Sequence, residues 1–180
     1  MGAGPHDRDA LDYLFSVTYE ELRRLAASVK RGDRNATLSP TALVNEAWLK
    51  LERSPELGAA SRLHFKRIAA RAMRQVLVEA ARKRQAHKRG GAGGDQAVFV
   101  TFDESIPDTV SCGEELLALD RALDDLARIE PRQAMMVESR FFGGLDVAEA
   151  ATLLEVSEAT LLRDWRAAKA WLAGELRQGR

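Results

Sequence analysis

Between Ser61 and Lys88 the residues Phe65, Ile68, Ala69, Ala72, Met73, Val76, Leu77 and Ala80 recur at intervals of three and four. A helix turns about 100° per residue, so these positions form one continuous apolar stripe. Arg67, Arg71, Arg74 and Arg82 fall on the opposite side, within a sector of roughly 80°. The spacing predicts a long helix with a core face and a basic ridge. The same period recurs elsewhere, in Leu11, Leu14, Leu22, Leu25 and Val29, in Leu43, Val44, Ala47, Trp48 and Leu51, and in Leu116, Leu119, Leu123 and Leu126. No segment alternates for long enough to build a sheet, and the expected class is all-α.

Punctuation sets the boundaries. A first helix runs from Asp9 to about Arg31 and ends at Gly32-Asp33-Arg34-Asn35. Ser39-Pro40 opens a second, with Ser as N-cap and Pro at the first helical position, and Ser54-Pro55 closes it. Ser61 caps the long third helix. Gly90-Gly91-Ala92-Gly93-Gly94 is too glycine-rich for helix, Val98–Phe102 reads as a short extended piece, and no periodicity follows through Pro107 and Cys112. An irregular stretch of about 25 residues is long for a loop inside one domain, so it is read as a linker. The expectation is two small helical domains, 1–88 and 116–180, joined by a flexible linker over 89–115. In the second, Pro131 and Gly143-Gly144 bound a helix, Asp146 and Glu149 form a capping-box pattern, and Ser157 caps a last helix to about Leu176.

The chain has 180 residues with 27 basic and 27 acidic side chains, but the zero net charge averages unlike blocks. Residues 62–102 hold ten basic residues against two acidic, a net of +8, and residues 103–130 hold nine acidic against two basic, a net of −7. Blocks of that size act on partners within a Debye length of about 8–10 Å, so polyanion binding stays open despite the neutral sum. No apolar run approaches the roughly 18 residues that span a bilayer, and the first residues contain no apolar signal core. A single cysteine, Cys112, excludes an intramolecular disulfide. A cytoplasmic protein without membrane attachment is expected. His6, His64 and His87 have no ligand spacing with each other or with Cys112, the glycine-rich stretch lacks the Lys-Ser/Thr of a phosphate loop, and no nucleophile–base pair is legible. No metal, cofactor or catalytic residue is expected.

Segment 146–172 carries the functional signal. A short capped helix, a tight turn and a second helix make the helix-turn-helix layout. On the second helix Leu161, Trp165, Ala168 and Leu172 form an inward stripe, while Leu162, Arg163, Arg166 and Lys169 point outward. Arginines near a helix N-terminus can enter a major groove and read guanine edges, with lysines and backbone N–H groups on phosphates. Two amphipathic helices packed together with a solvated charged face would show the same pattern.

The residues of this segment, Glu149-Ala150-Ala151, Leu154-Glu155-Val156-Ser157, Thr160-Leu161-Leu162-Arg163-Asp164-Trp165-Arg166 and Ala170-Trp171-Leu172, closely resemble the C-terminal region of bacterial extracytoplasmic-function (ECF) sigma factors. In the first half, Thr41-Ala42-Leu43-Val44-Asn45-Glu46-Ala47-Trp48-Leu49 is similar to one subgroup's Thr-Ala-Leu-Val-His-Glu-Ala-Tyr-Leu signature. His64-Phe65, Ala70-Arg71-Ala72-Met73-Arg74, Leu77-Val78-Glu79 and Ala81-Arg82 are similar to a second run of that subgroup. The likeness covers roughly residues 10–90 and 115–175, in order.

The resemblance implies a sigma factor that binds core RNA polymerase and directs promoter-specific initiation. Its first domain is similar to the family's region 2, with Asn45, Glu46 and Lys50 as contacts to core polymerase. Arg62, Lys66, Arg67, Arg71, Arg74 and Arg82 are implied contacts to the melted strand of the −10 element. The second domain is similar to region 4, with Ser157, Thr160, Leu162, Arg163, Arg166 and Lys169 at the double-stranded −35 element. The acidic linker would thread toward the polymerase channel, and an anti-sigma protein is a further conceivable partner. Asn45 replaces the subgroup's His, Glu155 its turn glycine, and Leu162 a common Lys or Arg; these departures bear on promoter sequence, not class. The alternative is a freestanding helix-turn-helix regulator acting without polymerase, which leaves the first-half motifs without a purpose.

Overall fold

A computed structural model of the chain describes residues 5–29, 39–52, 61–89, 99–100, 110–111 and 114–178. It contains helices α1 (Pro5–Val29), α2 (Pro40–Leu51), α3 (Arg62–Arg89), α4 (Glu114–Ile129), α5 (Pro131–Phe141), α6 (Val147–Leu153) and α7 (Glu158–Gln178). The fold is all-α apart from two short strands, β1 (Phe99–Val100) and β2 (Val110–Ser111), which pair antiparallel with Phe99 opposite Ser111. This small ladder lies within the stretch 89–115 read from sequence as a linker; Arg89 belongs to α3 and Glu114-Glu115 to α4, and residues 90–98, 101–109 and 112–113 lie outside the described residues.

The starts of these helices follow local chemistry. Ser39 caps α2, its Oγ accepting from the Ala42 N–H at 3.0 Å, and Pro40 occupies the position where a missing N–H costs nothing. At α6 the capping box is complete. The Asp146 carboxylate accepts from the Glu149 N–H at 2.8 Å and the Glu149 carboxylate accepts from the Asp146 N–H at 3.1 Å. Pro131 opens α5 one residue after α4 ends, at a first helical position where its missing N–H costs nothing.

Two apolar cores result. Leu22 and Ala26 of α1, Leu43, Val44, Ala47 and Leu51 of α2, and Phe65, Met73 and Val76 of α3 form the first. Phe15 stacks on Trp48 at 4.2 Å between ring centroids, closing its outer edge. The second core joins Leu119, Leu123 and Leu126 of α4, Met136, Val137 and Phe141 of α5, Phe142, and Leu161, Ala168 and Leu172 of α7. It also takes in Ala70, Val78 and Ala81 of α3, all buried. Helix α3 is therefore apolar on two sides. The stripe read from the sequence packs on α1 and α2, and a second line of small residues, running through the arginine sector, packs on the C-terminal helices.

The turn between α6 and α7 is a Schellman closure. The Val156 N–H donates to the Ala151 carbonyl at 3.0 Å and the Glu155 N–H to the Thr152 carbonyl at 3.3 Å, with Leu154 as the C-cap. Glu155 carries a φ of 54° in this turn, the left-handed position where glycine is favoured. Leu154 and Val156 pack against the second core, so the turn is held despite its strain. A left-handed non-glycine residue costs about 1–2 kcal/mol, of which the higher chain entropy of glycine takes back about 0.5–1 kcal/mol. Glu155→Gly is expected to stabilise the fold by about 0.5–1 kcal/mol, read as a higher urea midpoint. An unchanged or lower midpoint would show that the turn is not strained.

Candidate nucleic-acid interface

Helix α7 is placed by three inward anchors. Leu161, Ala168 and Leu172 are buried in the second core, as their spacing requires. Asp164, buried, accepts two hydrogen bonds from the Arg132 guanidinium of α5 at 2.7 and 3.1 Å. Trp165, half-buried, has the Arg140 guanidinium stacked 4.2 Å from its ring centroid. These contacts fix the rotation of α7 and therefore which side chains face out.

The outward set comprises Arg163 and Arg166, both exposed, Leu162 at 38% exposure, and Lys169, which is half-buried. At the N-terminus Ser157 Oγ accepts from the Thr160 N–H at 3.1 Å and pairs with Thr160 Oγ1 at 3.0 Å. Both hydroxyls lie where the first turn's backbone N–H groups and positive dipole end point outward, a setting suited to a phosphate. Cationic fork-shaped donors stand one turn further along the same helix. Chemically this is a surface that can hold a phosphate at its end and offer guanidinium forks to base edges.

The six cations singled out on α3 do not form one solvent-facing ridge. Arg62 pairs with Glu21 of α1 and is half-exposed. Lys66 is buried, its Nζ donating to the Glu149 carboxylate of α6 at 2.9 and 3.1 Å and lying 3.2 Å from Glu21. Arg67 reaches the His64 ring at 3.4 Å, and Arg71 is exposed. Arg74 is drawn into the contact with the C-terminal helices. Its guanidinium donates to Asp120, to Asp124 and to Glu138 at 2.7–3.1 Å, and to the Asp120 carbonyl at 2.8 Å. Burial would lower the Arg74 pKa, but the hydrogen bond to Asp124 and the charges of Glu138 and Asp120 raise it on balance, so it stays cationic. Arg82, mostly exposed, approaches the other Asp120 oxygen at 3.4 Å. An open cleft of about 470 Å³ remains between α3 and the α4–α5 pair, with Arg67, Arg71 and Arg82 on one wall and Asp124 and Met135 on the other.

On α2, Asn45 and Glu46 are exposed, and Lys50 donates to Glu79 of α3 at 2.8 Å. Leu49 is 47% exposed on the same helix face as Asn45 and Glu46, an apolar position among polar ones that periodicity alone assigns to neither side. Sequence reasoning also passed over Asp164 and Arg132, whose contact orients α7. The signal available was Asp164 itself, a charge placed within the apolar stripe of a helix.

Among the described residues no group of three or more His, Cys, Asp or Glu side chains could hold a metal ion, and no helix is long and apolar enough to cross a membrane. No curated protein and no solved structure matches the chain. The family model described as ECF sigma factor matches residues 4–178, which takes in both the α2–α3 motifs and the helix-turn-helix of α6 and α7. The chain belongs to the ECF sigma factor family, whose members act in transcription initiation.

Proposed function

We propose that this chain is a promoter-specificity subunit of RNA polymerase, working as two helical domains, 1–88 and 116–180, joined across 89–115. The second domain reads the −35 duplex through α7. The observation that carries this is the outward face of that helix, Arg163 and Arg166 exposed above a Ser157–Thr160 cap while Asp164 and Trp165 are turned inward. Arg163 and Arg166 make base contacts, Ser157, Thr160 and Lys169 hold phosphates, and Leu162 lies against the groove wall.

The first domain binds core polymerase through Asn45, Glu46 and Lys50, with exposed Leu49 as an apolar addition to that surface. Its α3 cations, Arg62, Lys66, Arg67, Arg71, Arg74 and Arg82, serve the melted −10 strand, where basic side chains track phosphates and a protein pocket offsets the few kcal/mol of base unstacking. The chain works in the cytoplasm, and the polymerase supplies the chemistry.

Adding the purified chain to core polymerase is expected to give run-off transcripts from defined starts and a permanganate-reactive bubble. Tight operator binding by the chain alone, with no initiation across a genomic promoter library, would instead identify a freestanding regulator. Arg163→Ala or Arg166→Ala is expected to lose about 1–3 kcal/mol at the −35 element and to relax preference at one position. Lys169→Ala is expected to weaken binding evenly across sequences and to lower the salt slope by about one unit. Wild-type promoter preference in both arginine variants would remove the recognition role from α7.

A further inference from the structure

The face of α3 that carries Arg74 already has an occupant. Around the helix, Ala70, Arg74, Leu77 and Ala81 stand at intervals of four, three and four, a seam that a second helix pair can fill. In this structure α4 and α5 fill it. Ala70, Val78 and Ala81 are buried in the C-terminal core, and the Arg74 guanidinium is ringed by Asp120, Asp124 and Glu138. At the other end of the contact Lys66 is held by Glu149 of α6. Packing is close: a Cβ placed on Gly143, in the α5–α6 turn, would stand 3.0 Å from the Ala70 Cβ and would clash with the Ser139 carbonyl.

We propose that the free chain is closed on itself, with the carboxylates of α4, α5 and α6 occupying the α3 cations Lys66 and Arg74 in place of nucleic-acid phosphates. A carboxylate and a phosphate offer a guanidinium the same planar pair of acceptor oxygens, so one surface fits both. The closure is one-sided. Lys66 and Arg74 are covered, whereas Arg163 and Arg166 on α7 stay exposed. The free protein therefore keeps its duplex-reading helix open while two of its six strand-binding cations are masked and Arg62, Arg71 and Arg82 stay exposed, and opening must precede use of the complete face. The masking rests on the assignment of α3 to the melted strand made above; the closed packing does not.

Ala70→Gln separates opening from electrostatics, because it wedges the α3 contact, leaves the first core untouched and changes no charge. X-ray scattering of the full chain is expected to give a larger radius of gyration in Ala70→Gln than in wild type, with unchanged helicity by circular dichroism. Affinity for a fluorescent oligothymidine is expected to rise about tenfold, the factor by which a closed state populated at about 90% depresses an apparent constant. Asp120→Asn/Glu138→Gln, which removes two of the three carboxylate charges around Arg74, is expected to expand the chain in the same way and decides the matter if Ala70→Gln loses helicity. An unchanged radius in both variants would overturn the closed packing. Expansion without a gain in oligothymidine affinity would overturn the masking, and neither result depends on whether the chain initiates transcription.

Discussion

Arg74 is the point where the two cores of this protein meet. Its side chain is only 13% exposed, yet it carries a full charge, and that combination is stable only with several oxygens in fixed places. Asp120, Asp124 and Glu138 supply them from two helices, and the Asp120 carbonyl adds another. A lysine at this position would lack the long planar fork whose separate nitrogens reach Asp120, Asp124 and Glu138 in fixed directions. Burying ions costs desolvation that their attraction repays only in good geometry, so the network is better understood as fixing register than as supplying stability. The apolar contacts of Ala70, Val78 and Ala81 supply the burial.

A second constraint acts on α7. Its charged residues are divided by role, and packing does the dividing. Asp164 is consumed by Arg132 of α5, and the neighbouring Trp165 ring is covered by Arg140 of the same helix, so that both α7 side chains are turned toward α5. With those contacts made, Arg163 and Arg166 have no way to rotate inward without exposing Leu161 and Ala168, both of which are at most 1% exposed. The turn before α7 is subject to the same requirement. Glu155 accepts a left-handed backbone so that the Schellman bonds to Ala151 and Thr152 can form, and those bonds set the angle at which α7 leaves α6.

Much of this was legible from residues. Helix starts at Ser39-Pro40 and Asp146, the inward stripe of α7 and the core face of α3 follow from short-range chemistry and a single period. The second face of α3 was not read, and the reason is physical. Ala70, Val78 and Ala81 are small, so they add little to a hydrophobic stripe, and the arginines between them dominate any count by charge. What makes the seam apolar is the neighbour that covers it, information held in α4 and α5. The charge blocks held part of the same information in another form: Arg74 and Arg82 come from the +8 block and Asp120 and Asp124 from the −7 block, and they meet directly.

That meeting changes how the neutral net charge should be understood. A chain with its cations and anions in separate blocks, brought together by folding, satisfies part of its own basic surface, here Lys66 and Arg74. The interaction is short-ranged, since exposed charges are screened beyond about 8–10 Å, while the partly buried Arg74 cluster is screened far less. Any competitor must therefore displace Asp120 and Glu138 from Arg74 and separate the apolar seam at the same time, which loose counterions do not accomplish. A surface that binds α2 or α7 from outside and holds the two halves apart would do so through leverage on the same contact. Access to Lys66 and Arg74 is thus tied to how the whole chain is held, and Arg74 is the residue through which that coupling runs.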